Sequence, residues 1–386
     1  MSFTTRTAHL KPEGAYQVLA RANQLEAEGK EIIHLEIGQP DYATLENVSQ
    51  AGIDAIRSGK TRYTPPAGMS SLREVLAEDA GQRRGIKVHP DEVVVSPGGK
   101  PNLFFPTLAL IESGDEVIYP NPGFPTYEAM IKVADGVPVA VPLVEENGFS
   151  FDLEVFDKLV NERTKLIILN SPSNPTGGVI PAADLEHIAS QIERYDCWVM
   201  SDELYTRIVY DGQEAPSIAT LPGMQERTII VDGFSKTYAM TGWRLGFGIM
   251  PKELAARIDL LLTHSVGSTA HFTQIAGIEA VTGPQEMVNV MVSEYQLRRN
   301  VIVDGLNTIP GFTCQKPQGA FYAFPNITGT GMDSAELANL ILEKAGVALL
   351  PGNSFGQYGE GYLRLSYANS IENIEKGIER IRTVLI

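Results

Sequence analysis

Short apolar runs rich in valine and isoleucine recur along the middle of the chain, and stretches with helical spacing of apolar positions separate them. Seven runs stand out: Glu92–Ser96, Glu116–Tyr119, Val137–Val141, Lys165–Asn170, Cys197–Ser201, Thr228–Val231 and Leu245–Ile249. Their length and β-branched content predict strands. Strands alternating with helices indicate a mainly parallel sheet covered on both faces. The fold class is therefore α/β, with a mainly parallel seven-stranded sheet.

Both ends of the chain break this rhythm. Residues 11–29 predict an amphipathic helix, with Val18, Leu19, Ala22 and Leu25 on one face. Ile32 to Leu35 predicts a short strand, and Ser71 with Glu74 a capping box opening a helix that runs to about Arg84. After residue 283 a helical pattern runs to Thr308. Strands near Phe321–Phe324, Val347–Leu350 and Tyr362–Ser366 follow, then a last helix from Ile371. These segments read as a smaller α+β unit. The expected division is a large domain over 46–282 and a small one made of 1–45 with 283–386.

Unusual residues gather at the carboxyl ends of the strands. The first run leads into Pro97-Gly98-Gly99-Lys100, the second into Pro120-Asn121-Pro122-Gly123-Phe124, and the fourth into Ser171-Pro172-Ser173-Asn174-Pro175-Thr176-Gly177. The fifth leads into Asp202-Glu203-Leu204-Tyr205, and the sixth through Asp232 into Gly233-Phe234-Ser235-Lys236. Open α/β sheets bind ligands at this edge. Each loop taken singly is ordinary turn chemistry; five together predict one shared site.

Composition narrows what that site serves. The chain has 386 residues, 43% hydrophobic and 20% charged, which suits a folded protein. Its net charge of −16, from 31 basic and 47 acidic residues, argues against a nucleic-acid or anionic-membrane surface. Any anion must be held by a local cluster of basic groups. The two cysteines, Cys197 and Cys314, form no ligand motif and suit a reducing, cytoplasmic setting. No metal motif, signal-peptide core or membrane-length apolar run is expected.

The stretch Gly233 to Gly246 carries the sharpest chemistry: Lys236 follows Ser235, and Arg244 comes eight positions later among small and apolar residues. A lysine in such surroundings loses proton affinity and can attack a carbonyl to form a Schiff base. The arginine suits a phosphate. A reactive amine beside a phosphate clamp fits pyridoxal phosphate. The bland alternative is a surface lysine with an ordinary arginine.

Asn174-Pro175-Thr176-Gly177, Ser235-Lys236 and Arg244 together resemble the fold-type I pyridoxal-phosphate enzymes of the class I/II aminotransferase family, and most closely the bacterial aspartate aminotransferase subgroup. The resemblance runs from Lys11-Pro12 to the terminal helix. It implies that Lys236 holds the cofactor and shuttles a proton. Asp202 would pair with the ring nitrogen, and Tyr205 and Asn174 would hydrogen-bond the ring oxygen. Phe124 would stack on the ring. Gly99, Lys100, Ser235, Arg244 and Tyr63 would hold the phosphate, Tyr63 reaching across a homodimer interface into the partner's site. Arg364, Gly38 and Asn174 would take the substrate carboxylate. A cis bond is implied before Pro175. Structural alternatives exist for each: a helix cap for Asp202, core aromatics for Phe124 and Tyr205, a solvent-facing Arg364.

Two positions depart from the pattern. Gly233 stands where many relatives carry a serine, removing one hydroxyl from the phosphate site. Residues 258–275 contain no Arg or Lys for a distal substrate carboxylate. Lys100 is placed for that carboxylate in some bacterial relatives, yet Glu13-Gly14-Ala15 differs from their small hydroxyl-bearing segment.

The expected activity is amino transfer between an L-amino acid and a 2-oxo acid, with aspartate or glutamate and 2-oxoglutarate as candidate substrates. The alternative is a lyase or cyclising enzyme on the same scaffold; a non-enzymatic regulator is disfavoured by the acidic charge. Gly352-Asn353-Ser354-Phe355-Gly356 matches a hydrolase nucleophile elbow, but the last histidine, His271, precedes it and the required order fails.

Overall fold

The computed structural model describes residues 4–8, 10 and 12–385. In chain order the strands are β1 (Ile33–His34), β2 (Val93–Ser96), β3 (Glu116–Asn121), β4 (Val137–Val144), β5 (Ser150–Phe151), β6 (Thr164–Asn170), β7 (Trp198–Asp202), β8 (Thr228–Gly233), β9 (Gly246–Ile249), β10 (Tyr322–Ala323), β11 (Val347–Ala348), β12 (Leu350–Pro351) and β13 (Leu363–Ser366).

All seven expected runs form one sheet, ordered β2-β9-β8-β7-β6-β3-β4-β5. The eighth member, β5, is a two-residue edge strand that returns antiparallel to β4. It is too short to leave a periodic signal, and Gly148 in a left-handed turn (φ 61°) reverses the chain before it. The pairs β3–β4, β3–β6, β6–β7 and β7–β8 are parallel. Strand β9 is antiparallel to both β8 and β2, so β2 points the same way as the parallel strands.

Alternate side chains enter different cores, as a sheet covered on both faces requires. Leu166 and Ile168 pack with Met200 and Ile229, while Ile167 and Leu169 pack with Val199 and Ile188 on the other face. Ile230 joins Val93, Val95 and Phe247. Fully burying such a side chain contributes about 1.5–3 kcal/mol.

Because β2, β3, β6, β7 and β8 share a direction, their carboxyl ends lie on one edge. Register brings Asn170 beside Asp202 and Asp202 beside Val231. Strand β9 starts at that edge, with Gly246 opposite both Gly233 and Ser96.

A second core joins β1, β10, β11 and β13 to the helices Glu286–Leu306 and Ile371–Leu385 through Tyr295, Ile302, Leu306, Ile374, Ile378 and Ile381. Tyr205, Ile208 and Tyr210, from the loop after β7, pack into this core. That loop therefore connects the parallel sheet to the C-terminal part.

Several local expectations shift. The helix expected over 11–29 spans Gly14–Ala27, and Lys11 lies outside the described residues. The capping box at Ser71 does not form. The helix runs Ser70–Arg84 with Met69 at its N-cap and no side-chain cap. The backbone N–H of Met69 donates instead to Gln274 Oε1 at 2.8 Å, a tertiary partner that local sequence cannot reveal.

Candidate active site

Lys236 lies on the one-turn helix Phe234–Thr237 directly after β8. The residue as a whole is half-buried. Its amine donates to the carbonyl of Gly38 and stands 5.9 Å from the Tyr205 ring centroid and 5.7 Å from that of Phe321. Burial, then the cations of Arg364 and Arg244, push its pKa from 10.5 down to about 7; Asp202 partly opposes this and Lys100 adds to it. The amine is thus uncharged in about half the molecules near neutral pH.

Asp202 ends β7 and is buried. Its Oδ2 accepts from the Tyr127 hydroxyl at 2.7 Å, and its Oδ1 from the Leu204 N–H at 3.4 Å. Burial pushes its pKa up to about 6, Asp232 and Glu203 add to the rise, and the Tyr127 and Leu204 bonds oppose it. The Tyr205 hydroxyl is 2.6 Å from that of Tyr322, and burial raises both phenols.

Arg364 faces inward from β13 and is only 4% exposed, which rules out a solvent-facing guanidinium. Its Nη1 donates to Asn174 Oδ1 at 3.1 Å and its Nη2 to the Glu36 carbonyl, while Nε has no partner among the described residues. The guanidinium carbon sits 4.5 Å from the Tyr322 ring centroid and 5.0 Å from that of Phe355. Asn174 precedes a cis peptide to Pro175, and Asn121–Pro122 and Ser171–Pro172 are cis as well. The segment 36–38 thus offers one carbonyl to Arg364 and another to Lys236. A side chain at Gly38 would collide with the Tyr322 hydroxyl, so the approach requires glycine.

Arg244 has a left-handed backbone (φ 55°), which costs a residue with a Cβ about 1–2 kcal/mol. Its guanidinium packs on Gly98 (φ 86°), where a Cβ would lie 2.9 Å from Cζ. Gly98 is thus the sterically demanding glycine of this loop. At Gly99 a Cβ would meet only Val231 Cγ1, at 3.8 Å, which leaves open space above the start of the helix Lys100–Leu110. A Cβ at Gly233 would come 3.3 Å from both Gly246 Cα and Leu204 Cδ1, so glycine suits the packing where relatives carry serine. Ser235 is buried beside Lys236.

Lys100 forms an ion pair with Glu13, just ahead of the helix Gly14–Ala27, and its amine lies 5.2 Å from the Phe124 ring centroid. Phe124 meets Tyr127 edge-on at 5.8 Å. Tyr63 stands apart, 100% exposed. Sequence reasoning missed Tyr127, Tyr322 and Glu36. Nothing in their local pattern distinguishes them from core residues.

The family profile described as aminotransferase class I and II matches residues 30–381. The chain belongs to the class I and II aminotransferases. Aminotransferases of this family work with pyridoxal phosphate, and transamination is the activity of this chain. It is 40% identical to a probable aspartate/prephenate aminotransferase of Aquifex aeolicus, over 99% of this chain and 98% of the relative. An aspartate aminotransferase of Thermus thermophilus solved with maleate superposes with a TM-score of 0.95 at 37% identity, covering 100% of both chains. An aromatic aminotransferase of Pyrococcus horikoshii gives 0.90 at 39% identity, over 95% of this chain and 98% of that one. The fold-type I architecture follows from these likenesses. Among the described residues no helix is long and apolar enough to cross a membrane.

Proposed function

We propose that this aminotransferase takes an L-amino acid and a 2-oxo acid in turn at the site around Lys236, with 2-oxoglutarate as an acceptor. The observation that carries the reading is the Lys236 amine itself. It is held at a pKa of about 7 between a backbone carbonyl, a buried carboxylate and two arginines.

The residues present fit the cofactor. Asp202 is a buried carboxylate with only a hydroxyl and a distant N–H on its oxygens, and it is suited to a cationic ring nitrogen. Arg364 keeps a buried, unpartnered Nε, so it has capacity for a carboxylate. The open backbone at Gly99 and the N-terminus of the following helix suit a phosphate. Bound pyridoxal phosphate supplies a carbonyl carbon for an amine and a ring that accepts an electron pair.

Lys236 would hold the cofactor and, once released, take a proton from the substrate's α-carbon at Nζ and return it. A pKa of about 7 suits both directions near neutral pH. Asp202 would keep the ring nitrogen protonated, and Tyr127 would orient its carboxylate. Tyr205 and Asn174 would bond the ring oxygen, and Phe124 would cover the ring and exclude water. Ser235, Arg244, Gly99 and Lys100 would hold the phosphate. Arg364, with Asn174 and the Gly38 backbone, would orient the α-carboxylate.

The distal side of the substrate is less committed. The Thermus relative was solved with a dicarboxylate, and other relatives carry aspartate/prephenate and aromatic names. Lys100 has the charge for a distal carboxylate, but Glu13 already neutralises it. A dicarboxylate must compete with Glu13, whereas a neutral side chain leaves the pair intact.

The exposed Tyr63 supports a homodimer in which each protomer completes the partner's phosphate site. The unpaired buried cysteines suit the cytoplasm. A panel of amino donors against 2-oxoglutarate, run with the wild type and Lys236→Ala, tests the reading. Amino transfer by the substituted protein at the wild-type rate would overturn it, as would pyruvate and ammonia as the wild type's main products.

A further inference from the structure

Arg84 ends the helix Ser70–Arg84, where an arginine ordinarily stays in water near the last carbonyls. Here its side chain is only 5% exposed. Nε donates to Glu203 Oε2 at 2.7 Å and Nη2 to Asp232 Oδ2 at 3.2 Å. Both acceptors flank residues of the site on different strands. Glu203 follows Asp202 at the end of β7, and Asp232 lies in β8 four positions before Lys236.

The two carboxylates are otherwise saturated. Glu203 Oε1 accepts from the hydroxyls of Ser201 at 2.9 Å and Ser217 at 2.5 Å. Asp232 Oδ1 accepts from the Gly233 N–H at 2.7 Å, and Oδ2 also takes Arg83 Nη2 at 3.2 Å. Arg83 is in turn held by Asp79 at 2.8 Å. The Glu203 N–H donates to the Val231 carbonyl at 2.8 Å, tying the same strand ends through backbone. A buried arginine is costly, the more so because Arg84 Nη1 has no partner among the described residues, so a side chain kept in this place indicates a specific task.

We propose that Arg84 is a positioning residue for transamination: by bridging Glu203 and Asp232 it fixes the end of β7 against the end of β8, and so fixes Asp202 relative to Lys236. It also supplies the counter-charge for two carboxylates next to Asp202. The charged groups facing this region are Glu203, Asp232 and Lys236 around Asp202, Arg364, Arg244 and Lys100 around Lys236, and Arg83, Arg84 and Asp79 around Asp232. The inference rests on the roles assigned above to Asp202 and Lys236.

The test uses the holoenzyme of the wild type, Arg84→Met and Arg84→Lys. Four quantities are read: kcat, KM for the amino donor, the pH titration of the bound cofactor's visible absorbance, and the thermal midpoint. In Arg84→Met, kcat should fall by roughly 100-fold, the loss expected of a displacement of about 1 Å in a reacting group. KM should change little, because Arg364 is untouched. The absorbance titration should move upward by about one pH unit, since Glu203 loses its cation and Asp232 keeps only Arg83. Arg84→Lys retains the charge but cannot span both carboxylates, so its titration should stay near wild type while kcat falls. It also decides the matter if Arg84→Met fails to fold. Wild-type kcat in either folded variant would overturn the proposal, as would a fall in thermal midpoint with kcat and titration unmoved. A wild type without amino transfer would instead overturn the assigned function.

Discussion

The site should cost the protein stability, and Lys236 is where that cost can be measured. In the cofactor-stripped protein the amine's pKa falls from 10.5 to about 7, chiefly through burial and the neighbouring arginines. Each tenfold loss of proton affinity is about 1.4 kcal/mol, so the penalty for a charged Lys236 is about 5 kcal/mol. Its sign follows from linkage. Below pH 7 the amine is protonated in both folded and unfolded chains, and the whole penalty is present. Between pH 7 and 10.5 the unfolded chain holds the proton that the folded chain has released, so stability rises with pH. Above that range the penalty is gone. Lys236→Met removes the titration but strands the Gly38 carbonyl, at a cost of about 1–2 kcal/mol. The variant should therefore unfold at higher urea than the wild type at neutral pH, by about 3–4 kcal/mol after extrapolation, and lose that advantage by about pH 10. A stability difference that stays constant across this window would refute the argument that burial and local cations hold the amine's proton affinity down.

Arg364→Ala should lower kcat/KM for every amino donor by about 2–5 kcal/mol if this buried cation is the common anchor proposed for all substrates; steady-state kinetics showing unchanged donor affinity would remove it from that role. Glu13→Gln should free Lys100 and raise kcat/KM for aspartate relative to a neutral donor by up to about fivefold, the most an exposed ion pair commonly contributes. Lys100→Ala should weaken dicarboxylates more than monocarboxylates, and equal losses would confine the lysine to the phosphate. Gly98→Ala places a Cβ against the Arg244 guanidinium at a backbone φ of 86°. Titration of the stripped protein should show cofactor affinity reduced by roughly tenfold, from loss of about 1.4 kcal/mol of phosphate binding. Wild-type affinity would mean that Arg244 has another place to go.

The large sheet was legible because its strands are buried on both faces, which makes each a continuous apolar run such as Leu166–Leu169 or Ile229–Val231. Strand β5 was not, since two residues carry no period. The helix beginning at Ser70 depends on Gln274, two hundred residues away, and no local rule supplies that partner. Among the site residues, Lys236, Asn174 and Arg244 stood out through a motif, and Asp202 through its place at a strand end. Tyr127 and Tyr322 did not. A buried tyrosine looks the same in sequence whether its hydroxyl meets a carboxylate, another tyrosine or a backbone carbonyl. That Gly98 packs against Arg244 was not foreseen. Gly98 and Gly99 are equivalent on paper, and only the backbone angle and the nearby guanidinium separate them.

An acidic chain of net charge −16 must still gather a phosphate and a carboxylate in one place, and the cations proposed for that task also weaken the base. Arg364 and Arg244 lower the proton affinity of Lys236 by repulsion, and both are suited to anions. An anion bound at either arginine cancels part of that repulsion. The amine must then bind its proton more tightly, by the same free energy with which its protonation strengthens the anion's binding. In the proposed mechanism each arriving anion would thus make Lys236 a stronger base at the step where a proton is to be taken. When the carboxylate departs, the repulsion returns and the proton is released more easily. The large perturbation of Lys236 and the polar atom left unpartnered on Arg364 are consequently one feature of the fold: an anion at the arginine and a proton on the amine are coupled through the low-dielectric interior.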